Sequence, residues 1–407
     1  AAITGISGLA SGTSASSVSG TLTNSTNAPI DVVYTVTPTS GAAGNCVGAT
    51  FTVTVTVYPT PALSSTLTPA AICSGTTFSY TATSNTQLNP TFSWSRAAVA
   101  GISQASATGS SAIISETLTN TTNVPVSVTY VYTITANGCT ATNNVVVVVN
   151  PTPVIAAKTV SICNIGTFTV TPSNGTDIVP ANTTYSWTYV NNANITGEAN
   201  GNAQSSIGQS LTNTTINDEQ VVYTVAPTSG ACTGSTFTVT ATINPTPVVQ
   251  NTTETICSGT AFTVSPSNGN GNVIPNGTQY TWTVANNANI TGASNESTPQ
   301  ANVSQSLVNT TNTVQTITYT VTPVLPGCNG NTFTVTVSVD PTPSIQNVTS
   351  SICSGLPFTV APTNGNGNLV PNGTTYTWTV VDNSYVLGET NQLTAQGTIS
   401  QSTHWLG

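Results

Sequence analysis

The sequence repeats itself with a period of roughly 95 residues, and this period restricts the fold more than any other feature of the chain. One series of cysteines opens the copies, at Cys73, Cys163, Cys257 and Cys353. A second series lies near the ends of the copies, at Cys46, Cys139, Cys232 and Cys328. Tryptophans keep the same interval, at Trp94, Trp187, Trp282 and Trp378. A period of this length fits one small domain, so the sequence predicts a tandem array of domains.

The chain divides into five predicted units, which are called repeats 1 to 5. Repeat 1 is the C-terminal half of a copy and repeat 5 is the N-terminal part of one, whereas repeats 2, 3 and 4 are complete. The predicted bounds are 1–57, 58–149, 150–243, 244–339 and 340–407. A Pro-Thr-Pro linker introduces each of repeats 2 to 5. Because proline fixes φ and holds the preceding residue extended, we expect short, stiff linkers.

Within a copy, short segments alternate bulky apolar residues with threonine. Residues 332–337 read Thr-Phe-Thr-Val-Thr-Val, which is the period of a strand with one buried face. Asn-Gly turns separate these segments, and no window has a helical period. About seven short strands per period predict an immunoglobulin-like β-sandwich. The fold class is therefore all-β, with tandem sandwich domains arranged end to end as a rod or filament. The four periodic tryptophans are predicted to lie in the cores.

The complete copies share a motif of residues that resembles a known family. In repeat 4 the motif runs from Ile256-Cys257-Ser258-Gly259 through Tyr280-Thr281-Trp282-Thr283-Val284 to Thr332-Phe333-Thr334-Val335. It resembles the PKD-like repeats of large secreted surface proteins of the Bacteroidota, which include the giant adhesins of gliding bacteria. The Trp-Asp-Phe-Gly-Asp-Gly signature of standard PKD domains is absent, since Thr283 follows the tryptophan. The resemblance implies a non-enzymatic role at the cell surface.

Charge restricts the possible partners. Only 3% of the residues are charged, against about 25% in average domains, and Arg96 and Lys158 are the only basic residues. Nucleic acid and anionic membranes are therefore excluded as partners, because both require clusters of basic residues. No apolar run reaches the ~20 residues of a membrane-spanning helix. We expect an excised or mature piece of a secreted, extracellular protein.

No catalytic, cofactor or metal site is predicted. The single histidine, His404, lies in a segment that departs from the repeat, so a histidine-based triad cannot recur in each domain. The acidic residues do not recur at one position of the repeat, which disfavours a repeated calcium loop. Trp405, next to His404, is also off the pattern. It is an interface residue or a terminal remnant.

The eight cysteines indicate disulfides in an oxidising compartment. Pairing within repeats would give Cys73–Cys139, Cys163–Cys232 and Cys257–Cys328. In an immunoglobulin-like sandwich, however, the opening and closing cysteines lie at opposite ends, ~20 Å or more apart, whereas bonded cysteines need Cα atoms within ~7 Å. Pairing between neighbouring repeats gives Cys73–Cys232 and Cys163–Cys328. Both pairings remain open at this stage.

Asparagines followed by Thr-Thr recur in register at Asn120, Asn213 and Asn309. Asn-x-Ser/Thr is the acceptor motif for N-glycans, so these residues are possible glycosylation sites. The same triplets also suit a turn between two strands.

The incomplete terminal repeats allow two interpretations. The chain is either an arbitrary piece of a longer repetitive protein or a subunit that polymerises with itself, each copy completing the half domain of the next. We expect an extracellular structural protein, part of a bacterial surface filament or adhesin stalk. The alternative is an array of carbohydrate- or protein-binding modules that contact glycans or cell surfaces. The predicted partners are therefore the chain itself or further repeats.

Overall fold

The structure, a computed structural model, describes residues 2–41 and 43–405. Within these residues the only regular elements are β-strands, numbered β1 to β34. The residues at the predicted outer bounds, Ala1, Leu406 and Gly407, lie outside the described part, as does Ala42. The fold class predicted from the alternating pattern, tandem all-β domains, is confirmed.

Repeat 1 contains β1 (Ile6–Ser7), β2 (Thr23–Asn24), β3 (Ile30–Val36) and β4 (Phe51–Val57). Repeat 2 contains β5 (Ile72–Cys73), β6 (Thr77–Thr81), β7 (Thr91–Arg96), β8 (Ala107–Gly109), β9 (Ile113–Thr117), β10 (Val126–Ala136) and β11 (Cys139–Asn150). Repeat 3 contains β12 (Lys158–Cys163), β13 (Gly166–Val170), β14 (Thr184–Tyr189), β15 (Ile195–Thr196), β16 (Gly201–Gln204), β17 (Ile207–Asn213), β18 (Glu219–Ser229), β19 (Cys232–Thr233) and β20 (Phe237–Asn244).

Repeat 4 contains β21 (Thr252–Cys257), β22 (Thr260–Val264), β23 (Gln279–Val284), β24 (Ile290–Thr291), β25 (Glu296–Gln300), β26 (Val303–Asn309), β27 (Gln315–Val324) and β28 (Phe333–Asp340). Repeat 5 contains β29 (Pro357–Val360), β30 (Tyr376–Trp378), β31 (Val386–Leu387), β32 (Gln392–Gln396), β33 (Ile399–Ser402) and β34 (His404–Trp405).

Repeat 4 illustrates the complete sandwich. One sheet has five strands in the order β21-β28-β27-β23-β25, and the other has three in the order β22-β26-β24. The first strand, β21, pairs parallel to the last strand, β28, whereas the remaining pairs are antiparallel. Repeat 3 has the same two sheets with the short β19 added beside β18, whereas the small sheet of repeat 2 is the pair β6-β9. In both repeats the first strand is parallel to the last, β5 to β11 and β12 to β20.

The core of each complete repeat lies between its two sheets. In β28, alternate residues are buried, which is the pattern that its Thr-Val alternation predicts. Phe262 and Leu307 of the small sheet pack with Tyr319 and Val335 of the large sheet in one buried cluster. Similar clusters occur within residues 63–149 and 155–243.

The tryptophans do not all occupy equivalent environments. Trp187 and Trp282 are buried in the cores of repeats 3 and 4. Trp94 is partly buried against the core of repeat 2. Trp378 is also partly buried, in repeat 5, and its core role stays a prediction. Among the described residues, repeat 5 has no counterpart of β27 and β28 to pair beside β30 and complete the large sheet.

The terminal repeats form two-stranded sheets only. In repeat 1 these sheets are β1-β2 and β3-β4; in repeat 5 they are β29-β33, β30-β32 and β31-β34. Residues 346–353, which correspond to β21, form no strand. The last strands of repeats 2, 3 and 4 end at Asn150, Asn244 and Asp340, one residue beyond the predicted bounds. The domain bounds themselves stay a prediction.

Candidate functional site at the joints between repeats

Two disulfides join successive repeats. Cys73 of repeat 2 is bonded to Cys232 of repeat 3, and their Cα atoms are 5.5 Å apart. Cys163 of repeat 3 is bonded to Cys328 of repeat 4 with the same Cα separation. In both cases the opening cysteine of one repeat is bonded to the closing cysteine of the next. The structure therefore has the pairing between neighbours, and it contradicts the alternative Cys73–Cys139, Cys163–Cys232 and Cys257–Cys328.

Strand register explains why the pairing within a repeat fails. Cys73 lies beside Asn150, at the end of β11. Cys139 lies at the beginning of the same strand, in register with Ala136. A strand of 12 residues advances about 3.3 Å per residue, so ~36 Å of extended chain separates the two cysteines. The first strand thus carries its cysteine to the joint with the next repeat.

Contacts between the linkers and the neighbouring loops add to the disulfides. The hydroxyl of Thr152, in the linker between repeats 2 and 3, donates to the carbonyl oxygen of Ser74 at 3.1 Å. Thr342 makes the same bond to Ser258 at 3.0 Å. A Cβ placed on Gly234 would lie 2.1 Å from the carbonyl oxygen of Pro153, so the close approach of the linker requires glycine there. The linkers are therefore packed between the repeats.

Each recurrent asparagine secures the end of a last strand. The side-chain nitrogen of Asn309 donates to the carbonyl oxygens of Val339, at 2.8 Å, and Thr313, at 2.7 Å. Its side-chain oxygen accepts the backbone N–H and the hydroxyl of Thr311. Asn24, Asn120 and Asn213 make the same set of bonds in their own repeats.

The folded geometry disfavours glycosylation at Asn120, Asn213 and Asn309, which stays a prediction. Their side chains are at most 3% exposed, and both amide hydrogens are used in hydrogen bonds. An acceptor nitrogen must be accessible to be modified. These residues lie at turns, which is the other interpretation of the triplets. Their additional hydrogen bond to the last strand could not be predicted from the sequence.

A tyrosine hydrogen bond links the two sheets of each complete repeat. The hydroxyl of Tyr319 donates to the side-chain oxygen of Gln305 at 2.9 Å. Tyr223 and Gln209 repeat the pair at 2.8 Å. In repeat 2 a carboxylate replaces the amide, and Tyr130 donates to Glu116 at 2.5 Å. This pair was not predicted from the sequence, because the tyrosine and its partner lie 14 residues apart on facing sheets.

Both basic residues lie in ion pairs. Arg96 is buried and contacts Glu116 at 2.5 Å. Burial raises the pKa of Glu116, but hydrogen bonds from Arg96 and Tyr130 outweigh it and hold that pKa below its ordinary value. Lys158 contacts the buried Asp177 at 2.6 Å. Neither cation is therefore available to an anionic partner.

The remaining cysteines and the terminal residues lie apart from these joints. Cys46, Cys257 and Cys353 are exposed thiols and Cys139 is partly buried. Trp405 is exposed and takes the position in repeat 5 that Asn309 takes in repeat 4, next to His404. Among residues 2–41 and 43–405, no group of three or more His, Cys, Asp or Glu side chains could hold a metal ion. The same residues include no helix long and apolar enough to cross a membrane.

Comparison with solved structures returns chains of low sequence identity to this one. An I-band fragment of titin is 7% identical, covers 70% of this chain and 100% of its own length, and has a TM-score of 0.30. The human desmocollin-1 ectodomain is 12% identical, with 91% and 79% covered and a TM-score of 0.26. A mouse cadherin-23 fragment is 11% identical, with 70% and 99% covered and a TM-score of 0.27. No curated protein sequence matches the chain.

A family model gives the stronger result. The model described as "PKD-like domain" matches four times, at residues 1–61, 70–153, 160–247 and 254–343. These matches cover well over half of the chain and include the three complete sandwiches and the half repeat that precedes them. No catalytic family is indicated. The chain belongs to the PKD-like domain family.

Proposed function

We propose that this chain is a segment of an extracellular structural filament or adhesin stalk on a bacterial surface. One observation carries the proposal: disulfides bond residues 159 and 165 positions apart, each in successive repeats. These bonds connect one domain to the next, which is what a chain under tension requires.

The compartment and the composition support this function. Disulfides persist in oxidising surroundings, which places the chain outside the cytosol. Only two residues are basic, and both are in ion pairs, so proteases that cleave after lysine or arginine find few sites. Resistance of this kind suits an exposed fibre. The likeness to adhesins of gliding Bacteroidota agrees with the role.

The finer part of the proposal is that the chain polymerises head to tail. The strands of repeat 5 correspond to the opening strands of a sandwich, and β3 and β4 of repeat 1 correspond to the closing ones. A head-to-tail contact that does not close on itself produces filaments rather than rings. The partner is then a second copy of this chain.

Binding-module arrays have less support. Three of the recurrent tryptophans pack against the cores rather than forming an aromatic platform for sugars. The exposed Trp405 does not recur from repeat to repeat. Among the described residues, the tryptophans therefore form no sugar-binding platform that recurs from repeat to repeat.

Negative-stain electron microscopy of the purified chain, with and without reductant, tests the function. We expect straight rods of several domains that bend at the joints after reduction, and fibres much longer than one chain at high concentration. A matched control has Cys139→Ser and Cys257→Ser, which leave both intrachain disulfides in place. Rods that are equally flexible before and after reduction would contradict the stalk. Isolated rods at all concentrations would contradict polymerisation alone.

A further inference from the structure

The four cysteines without a partner follow the same register as the bonded ones. We propose that two copies of this chain share one repeat at their junction, and that disulfides Cys257–Cys46 and Cys353–Cys139 close it, the second cysteine of each pair belonging to the following copy. This inference rests on the proposed polymerisation and specifies its contact.

The observed pairing rule gives these partners. An opening cysteine bonds the closing cysteine of the next repeat, as in Cys73–Cys232. If repeat 5 and the following copy's repeat 1 form one composite repeat, Cys46 is its closing cysteine, and Cys257 of repeat 4 bonds it. Cys353 opens the composite repeat and therefore bonds Cys139, the closing cysteine of the next one. All eight cysteines then have partners.

The strands on the two sides are complementary. In repeat 4 the inner strands of the large sheet are β28 and β27, and the flanking strands are β21 and β23. Repeat 1 supplies the inner pair as the hairpin β4-β3. Repeat 5 supplies the flanks as residues 346–353 and β30. The composite sheet is thus complete, and residues 346–353 gain the parallel partner that orders β21 in repeat 4.

Apolar side chains at the junction show what the shared repeat would bury. Phe51 is 50% exposed, whereas its equivalent in repeat 4, Phe333, is 2% exposed. Phe333 is buried because it packs on Tyr280, with the ring centroids 6.2 Å apart. Tyr376 is the equivalent of Tyr280 and lies in repeat 5. The shared repeat therefore covers Phe51 with Tyr376.

The two residues of the tyrosine–glutamine hydrogen bond between the sheets are also divided between repeat 1 and repeat 5. Repeat 1 has the tyrosine, Tyr34, but Gly20 stands where the other repeats have glutamine or glutamate. Repeat 5 has the glutamine, Gln401, on β33. Gln401 already donates to Thr390, as Gln305 donates to Ser294 in repeat 4. Tyr34 of the following copy would complete the pair with Gln401.

Two segments compete for one position in the composite repeat. Residues 2–24 and residues 386–405 both correspond to the region of β24 to β26. The segment of residues 386–405 carries Gln401, and we therefore assign it to the composite repeat as far as Ser402. Residues 2–20 of the following copy then lie outside the composite repeat. Leu22 and Asn24 of the following copy then occupy the positions equivalent to Leu307 and Asn309 of repeat 4.

Closure of each disulfide requires an oxidant, for which we take a small-molecule disulfide such as oxidised glutathione. The thiolate of Cys46 attacks the oxidant, forms a mixed disulfide and releases one thiolate. The thiolate of Cys257 then displaces the second. Two cysteine thiols lose two protons and two electrons, and the oxidant becomes two thiols.

Paired serine variants test the register. The full chain is incubated with oxidised glutathione and separated on non-reducing denaturing gels. The variant with Cys46→Ser and Cys257→Ser retains the Cys353–Cys139 bond, so we expect a ladder of covalent multimers. The variant with Cys46→Ser and Cys353→Ser loses one member of each pair, so we expect monomers only. The opposite result would mean that Cys139 bonds Cys257, and would overturn the proposal.

Direction is tested by mixing two variants. One lacks Cys46 and Cys139, and the other lacks Cys257 and Cys353, all replaced by serine. Each alone should remain monomeric, whereas the mixture should give covalent dimers and nothing larger. Multimers of either variant alone would contradict the head-to-tail junction. Mass spectrometry verifies that Cys73–Cys232 and Cys163–Cys328 are intact in every variant, which excludes misfolding as the cause.

Sedimentation in reductant separates this inference from polymerisation itself. Concentration-dependent fibres without covalent multimers would retain polymerisation and reject the disulfide register. Monomers under all conditions would reject both. Since the substituted cysteines make no intrachain disulfide, neither outcome depends on the stability of the single chain.

Discussion

Cys73 and Cys232 are bonded to each other although 159 residues separate them in the sequence. Both lie at the joint between repeats 2 and 3: Cys73 lies at the end of repeat 2, beside the last residue of β11, and Cys232 lies in the hairpin before β20, at the facing end of repeat 3. Cys163, on β12 of the repeat that contains Cys232, is bonded to Cys328. The two closed loops therefore overlap along the chain, and the overlap runs from Cys163 to Cys232.

Removal of one of these disulfides should destabilise the repeats that it joins. We expect Cys73→Ser with Cys232→Ser to lower the free energy of unfolding by up to about 5 kcal/mol, because a loop of this length restricts the unfolded chain strongly. Calorimetry of the monomeric chain measures the shift. The matched variant, Cys139→Ser with Cys257→Ser, removes no intrachain bond and should unfold as the parent does. Equal shifts in the two variants would contradict a stabilising role.

The buried asparagine of repeat 4 should contribute strongly to stability. Asn309→Ala leaves the carbonyl oxygens of Val339 and Thr313 without their donor, and we expect a loss of about 2–4 kcal/mol. Calorimetry should show one transition moved to lower temperature. Asn276→Ala, at an exposed turn, is the control and should change the stability by less than about 0.5 kcal/mol. A small effect at Asn309 would mean that water replaces the lost bonds.

The exposure of each asparagine side chain predicts which Asn-x-Ser/Thr motifs would carry N-glycans in a host cell that attaches them. Asn182, Asn276 and Asn372 lie at exposed turns and are followed by threonine two positions later. We expect glycans on these residues when the chain is secreted from eukaryotic cells, and none on Asn120 or Asn309. Peptide mass spectrometry after glycosidase treatment measures occupancy. Glycans on Asn309 would show that this residue is accessible before repeat 4 folds.

The sequence predicts the sandwiches well because each strand alternates threonine with valine or an aromatic residue over several copies. It leaves the cysteine pairing open, because the pairing depends on where a strand of 12 residues ends relative to its parallel neighbour, as at Cys73 and Asn150. It also leaves the role of Asn309 open between a glycan acceptor and a turn residue. The Asn-Thr-Thr triplet has the same sequence whether the asparagine amide faces water or a neighbouring strand. Only the folded structure, which places the carbonyl oxygen of Val339 beside Asn309, distinguishes the two.

Acid should weaken repeat 2 through Glu116. Its pKa is below the ordinary value, so the stabilisation is present above an unfolded pKa of about 4.3 and is lost as the pH falls through the folded value. We expect the unfolding temperature of repeat 2 to drop between about pH 5 and 3. Arg96→Val with Glu116→Gln reproduces the residues of repeat 4, Val284 and Gln305, and should remove this dependence.

Two controls define the acid result. Glu116→Gln alone leaves the buried Arg96 without a carboxylate, and we expect a loss of about 3 kcal/mol already at neutral pH. The transition of repeat 4 should keep its own pH profile in all variants. An unchanged acid response in the double variant would assign the response to other carboxylates, with Asp177 of repeat 3 the first to test.

The overlapping loops predict how far the chain extends under force. With both disulfides intact, the shortest covalent route from Cys73 to Cys328 crosses to Cys232, returns to Cys163 and crosses again. That route contains roughly 70 residues, or ~25 nm when fully extended. Without disulfides it contains roughly 255 residues, or ~85–90 nm. Single-molecule stretching should therefore show ~60 nm of additional extension after reduction.

Single substitutions distinguish overlapping loops from independent ones. Cys232→Ser leaves a route of roughly 90 residues through the remaining disulfide, and Cys163→Ser leaves roughly 95, so each should add less than ~10 nm. Replacing both should give the full extension of the reduced chain. Loops that did not overlap would each release about half of the additional length, so a gain of ~30 nm from one substitution would contradict the overlap. Either disulfide alone still prevents most of the additional extension. A stalk of this design therefore keeps nearly the same maximum length under force when one bond is reduced.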